Sequence, residues 1–103
     1  MDGLELRSRA IARRLPVYPP GAIARRVTGT AVAAIEVDRD GQVRVLEILE
    51  SPDADISDAV RTALAAWRFP PIRTSTSGEP VTTVSRLVFY FRIRNGHAVV
   101  EEP

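Results

Sequence analysis

Apolar and polar positions alternate along residues 30–38. Ala31, Ala33, Ile35 and Val37 fall on one side, and Thr30, Val32, Ala34, Glu36 and Asp38 on the other. A period of two with one charge-free side predicts a strand with one buried face. Asp38-Arg39-Asp40-Gly41 follows, and Asp-Gly between two strand patterns is a hairpin signal. The second strand is predicted over 42–49, but its phase slips: Val43 and Val45 share one parity, Leu46 and Ile48 the other. A regular strand cannot bury both sets on one face, so a β-bulge near Val45-Leu46, or a bend with both faces partly covered, is expected.

The period then changes. Ile56, Ala59, Val60, Ala63, Leu64 and Trp67 stand at i, i+3, i+4, i+7, i+8 and i+11, a continuous apolar stripe that predicts a helix within residues 51–70. Asp55 or Ser57 offers an N-cap oxygen, and Phe69-Pro70-Pro71 ends the element. Trp67 closes the stripe and is expected in the core, over the small Ala31 and Ala33. Residues 73–80, rich in Ser and Thr with Gly78 and Pro80, read as an exposed loop.

A long strand is predicted over 81–93. Leu87, Phe89, Phe91 and Ile93 face one way, and Arg86, Val88, Tyr90 and Arg92 the other. Asn95-Gly96 favours a two-residue type I′ turn, so residues 97–101 are expected to fold back onto 88–93 as a short fourth strand.

The front of the chain is less regular. Leu4, Ile11 and Leu15 share one side at helical spacing among Arg7, Arg9, Arg13 and Arg14, which suggests a short amphipathic helix or a linker ending at Pro16. Pro19 or Pro20 suits the first position of a short helix over 22–26. These elements predict an α+β fold, two helices on one face of a three-stranded antiparallel sheet, with the short fourth strand added. Residues 1–16 are expected to be an arm or linker, and 17–103 the folded domain.

Composition narrows the chemistry. The 103 residues include no cysteine and one histidine, His97, which excludes thiol nucleophiles, disulfides and multi-histidine metal sites. Neither a bilayer-spanning apolar run nor an apolar signal segment is present, so no targeting signal is expected in this chain. The net charge of +1 hides segregation: residues 1–30 carry +4, residues 31–60 carry −6, and residues 61–103 carry +3. Solvated faces of opposite sign account for this pattern. The rival, an Arg-rich nucleic-acid-binding module, lacks aromatic-interleaved basic clusters and phosphate loops, so no nucleic acid is expected as partner. Asp38, Asp40, Asp53, Asp55 and Asp58 occupy turn or cap positions, where carboxylates serve local hydrogen bonds. Neither a nucleophile elbow nor a phosphate cradle is present. No enzymatic activity, cofactor or metal is expected.

One combination of residues is distinctive. Tyr18-Pro19 and Ala22 precede Gly29, an alternating strand, and Asp38 with Gly41. Ser51, Ile56, Ala59 and Ala63 lead to Trp67-Arg68-Phe69, Pro71, Gly78, Pro80-Val81 and Phe89-Tyr90-Phe91. Over about residues 17–94 this order resembles the C-terminal domain of TonB-type energy transducers. Arg26 stands where that family usually has glycine, and Ala31 and Ala33 where it usually has larger residues.

The resemblance implies a periplasm-facing binding module that docks a short segment of an outer-membrane transporter by adding it as a strand to the sheet edge. Unpaired main-chain groups on an exposed edge supply such affinity. It implies membrane attachment only through an anchor absent from this chain. Tyr18, Pro19, Arg86, Val88, Tyr90 and Arg92 are the expected partner-binding residues, the last four on the outer face of the longest strand. A second copy of the chain is a further candidate partner. A TolA-like or sensor-associated periplasmic interaction domain without energy coupling is the alternative within this class.

Overall fold

In the computed structural model the chain runs α1 (Gly3–Ser8), α2 (Pro20–Ala24), β1 (Gly29–Val37), β2 (Val43–Glu50), α3 (Ala54–Ala65), β3 (Thr83–Arg94) and β4 (His97–Glu101). The structure describes residues 2–74 and 76–103; Met1 of the expected arm and Ser75 of the expected loop lie outside them. The four strands form one antiparallel sheet in the order β2-β1-β3-β4. The fold is therefore α+β, with three helices among the described residues: the two expected on the sheet and a short one within the expected N-terminal arm.

β1 buries alternate residues, as its pattern requires: Ala31, Ala33, Ile35 and Val37 are all fully buried. β2 solves its phase slip with two irregularities rather than one. Ile35 pairs with Val45 and Ala34 with Glu47, leaving Leu46 as an extra residue. Ala33 then pairs with Ile48 and Val32 with Glu50, leaving Leu49 as another. Val43, Val45 and Ile48 thereby all pack toward the core, while Leu46 and Leu49 are exposed.

α3 starts two to four residues earlier than the expected caps, Asp55 or Ser57, placed it. Asp53 is the N-cap, its carboxylate accepting the Asp55 N–H, and it is also bound by Arg25. The helix buries Ile56, Val60, Ala63 and Leu64 and ends at Ala65. Trp67 lies just past it, in an extended segment where Arg68 pairs with Ala12 and Gln42. Its ring is fully buried, edge-on to Phe89 at 6.1 Å between centroids, and its indole N–H donates to the Arg14 carbonyl at 2.8 Å. Phe89 is the cross-strand partner of Ala31. The small side chain on β1 thus stands beside the aromatic pair that fills the core.

The N-terminal segment departs from its helical spacing. α1 is capped by Asp2, stops at Ser8, and buries Leu6 and Arg7 rather than Leu4. Beyond it the chain is extended, with the Ile11 and Ala12 N–H groups donating to the Arg68 carbonyl. Helical periodicity has no meaning across that break, and Leu4, Ile11 and Leu15 all remain exposed.

Candidate docking site at the sheet edge

β3 is the longest strand, and its two edges differ. One side pairs with β1 from Thr83 to Phe91. The other pairs with β4 only from Tyr90 to Arg94. Asn95 and Gly96, at φ 50° and 79°, make the tight turn between them, both in the left-handed region a type I′ turn needs.

Below β4, the remaining edge of β3 meets α1 instead of a strand. A Cβ on Gly3 would stand 2.1 Å from the Arg86 carbonyl oxygen, so only glycine allows this approach. Arg7 Nη2 donates to the Val88 carbonyl at 2.8 Å, supplying a hydrogen bond that a neighbouring strand would otherwise make. Arg7 is 5% exposed, its guanidinium lies 5.6 Å from the Phe89 ring centre, and burial draws its pKa below the ordinary arginine value.

Arg86, Val88, Tyr90 and Arg92 come together on the face of β3 away from the buried Leu87, Phe89 and Phe91. Val32 and Thr30 of β1 stand beside Val88 and Tyr90. The Arg92 guanidinium covers the Tyr90 ring at 4.9 Å. Tyr18 and Pro19 are elsewhere. The Tyr18 ring is buried edge-on against Phe91, 5.2 Å between centroids, and its hydroxyl donates to the Val27 carbonyl. Burial raises its pKa. Pro19 is the half-buried N-cap of α2 and lines a groove of about 510 Å³ along the outer side of α3.

The structure adds residues that sequence reasoning missed. Glu101 Oε1 lies 3.2 Å from Arg92 Nε and 3.0 Å from Arg94 Nη2. Glu102 lies 3.6 Å from both Arg7 and Arg13. Two consecutive acids following β4's apolar residues are thus flanked by four arginines. Nothing in the local pattern marks Arg7 apart from Arg9 or Arg14, because its burial depends on β3, eighty-one residues away.

Comparison with known proteins places the site in context. Residues 14–93 match the family model described as the Gram-negative bacterial TonB protein C-terminal. The chain is 37% identical over 79 residues to Protein TonB of Pseudomonas aeruginosa, covering 76% of this chain and 22% of that protein. It is 36% identical over 80 residues to Protein TonB of Klebsiella pneumoniae, covering 77% and 32%. The chain thus spans between a fifth and a third of the length of these curated relatives. The solution NMR structure of the Pseudomonas aeruginosa TonB CTD superposes with a TM-score of 0.64 at 32% identity, covering 84% of this chain and 86% of that one.

Proposed function

Since the chain belongs to the family of Gram-negative bacterial TonB C-terminal domains, we propose that it is a periplasmic docking domain that receives an extended segment of an outer-membrane transporter as an added strand on β3. The observation that carries this reading is the divided edge of β3. Only five residues of β4 cover it, and beyond them α1 rather than a strand meets its carbonyls. A two-strand hairpin arm this short contributes little stability of its own. Main-chain bonds from a partner segment can replace it on the part of the edge that α1 leaves free. Such a joint also suits force transmission, because a pull along the strand loads several hydrogen bonds together.

In this reading residues 17–103 form the docking domain and 1–16 an arm that folds back beside its edge. Arg86, Val88, Tyr90 and Arg92 flank the docked segment on the sheet's open face. Tyr18 braces Phe91 behind the docking strand, and Pro19 shapes the helix-side surface next to it. The role is binding rather than turnover.

Titration of the isotopically labelled chain with a synthetic peptide copying a transporter's periplasm-exposed N-terminal segment tests this. Amide shifts should concentrate on residues 84–94, with β4 signals moving toward those of an unpaired strand. Binding that leaves the β3 amides unmoved would refute strand addition.

A further inference from the structure

The arginines around β4 describe the partner as well as the tail. Glu101 lies opposite Tyr90 and is held on one side by Arg92 and Arg94. Glu102, the next residue, is held by Arg7 and Arg13. Consecutive residues of a strand project to opposite faces, so each acid meets its own arginine pair. The two acids leave two of the four positive charges unbalanced. Arg86, farther along the same strand, makes no ion pair among the described residues.

The fit at Glu102 is incomplete. Its side chain is 15% exposed and that of Arg7 6%, yet their closest atoms are 3.6 Å apart. Arg7 Nε and Glu102 Oε1 are both buried without a hydrogen bond. Buried charged groups normally close such gaps, because an unmade hydrogen bond to a charge is costly in a low-dielectric site. The arginine donors at this edge are therefore in place for a carboxylate that Glu102 only approximates. Just before the acids, Ala98 and Val100 pack partly against the core, so the site also reads apolar residues at alternate positions.

We propose that the strand docking on β3 is an acidic extended peptide: two alternate apolar residues followed by two consecutive acids, for which Ala98, Val100, Glu101 and Glu102 are the chain's own stand-in. This inference rests on the strand-addition reading above and specifies its ligand. β4 then acts as an internal competitor. It keeps the edge paired and the arginines partly neutralised until a better-fitting acidic strand replaces it. Charge complementarity of this kind raises the encounter rate and sets register, and it weakens with salt.

The test uses the full chain and two synthetic ten-residue peptides, identical in their alternating apolar residues but ending in Glu-Glu or Gln-Gln. Each is titrated at low and high salt, with Kd and β3 amide shifts read by NMR. The Glu-Glu peptide should bind about tenfold or more tightly at low salt, an advantage that shrinks at high salt. The double substitution Glu101→Gln/Glu102→Gln should tighten binding of the Glu-Glu peptide, since the internal competitor is weakened. Because Arg7 is built into the core and its replacement endangers folding, the exposed pair is tested instead: Arg92→Gln/Arg94→Gln should reduce the Glu-Glu preference by about threefold or more. Equal Kd for the two peptides, with shifts still on β3, overturns the acidic requirement and leaves strand addition standing. A preference unchanged in Arg92→Gln/Arg94→Gln, or no tightening in the glutamine-tailed chain, likewise overturns it. An absence of β3 shifts with either peptide overturns strand addition and this inference with it.

Discussion

Replacing Trp67 by alanine tests the packing that the whole β-sheet depends on. The ring has no solvent exposure, lies edge-on to Phe89 at 6.1 Å and tilted against Phe69 at 6.3 Å, and donates its N–H to the Arg14 carbonyl. Removing a buried aromatic of this size costs about 3–5 kcal/mol through lost burial and the cavity left behind. A chain of this length has a total stability of about 5–15 kcal/mol, so the loss consumes a large part of it. At about 4–8 °C per kcal/mol, the melting temperature should fall by about 12–40 °C. Trp67→Phe separates the two contributions. It keeps an aromatic ring but removes the donor that ties the N-terminal segment at Arg14, and it should cost only about 1–2 kcal/mol. Urea unfolding followed by far-ultraviolet circular dichroism measures both variants without relying on the tryptophan signal. An unchanged midpoint for Trp67→Ala would refute the core assignment. Equal losses for the two variants would mean that the indole hydrogen bond, rather than ring packing, carries the stability.

Arg26 sits at φ 55°, a conformation costing a side-chain-bearing residue about 1 kcal/mol, so Arg26→Gly should raise the melting temperature by several degrees; a fall would show that the Arg26 side chain has a compensating role. The Asp53 carboxylate is held below its ordinary pKa first by its hydrogen bond from Arg25, so its stabilising effect is present above the unfolded carboxylate value of about 3.9 and is lost as pH falls through the lower folded value. Arg25→Gln should therefore lose less stability than the parent between pH 7 and pH 3, and equal losses by urea midpoint would contradict the pairing. In the β3–β4 hairpin Arg94 and His97 flank the two-residue turn, which makes the N–H groups of Val99 and Glu101 the ones directed at β3 and those of Ala98 and Val100 the ones directed outward. Hydrogen exchange should be slower at Val99 and Glu101 than at Ala98 and Val100; uniformly fast exchange over 97–101 would reject the folded tail.

Local stereochemistry determined much of this protein. The strict alternation over β1 can bury only one face of a strand, and the i, i+3, i+4 stripe of α3 can bury only one side of a helix, so both elements and most of their core residues were readable from the sequence. Asn95-Gly96 specified the β3–β4 turn because few residue pairs adopt positive φ twice in succession. The phase slip in β2 announced a bulge, although its second irregularity, at Leu49, emerged only when each residue was matched to its partner on β1. Arg86, Val88, Tyr90 and Arg92 share one face of β3 for the same reason: alternate residues of a strand project to the same side.

Tertiary structure alone decided how the edge of β3 beyond β4 is closed. α1 is obscured in the sequence because the apolar spacing continues over residues 9–15, where the chain turns extended to pair with Arg68. Arg7 looks like its neighbours in sequence, yet contact with Val88, Phe89 and Glu102 buries it. Tyr18 had two local readings, core plug or partner contact, and the long-range position of Phe91 turns its ring inward. Burial of a charged side chain is settled by groups brought together from distant parts of the chain, and no local period encodes it. The strands and their faces follow from the order of residues. The charge that surrounds the outer edge of β3 follows from the meeting of α1, β3 and the end of β4.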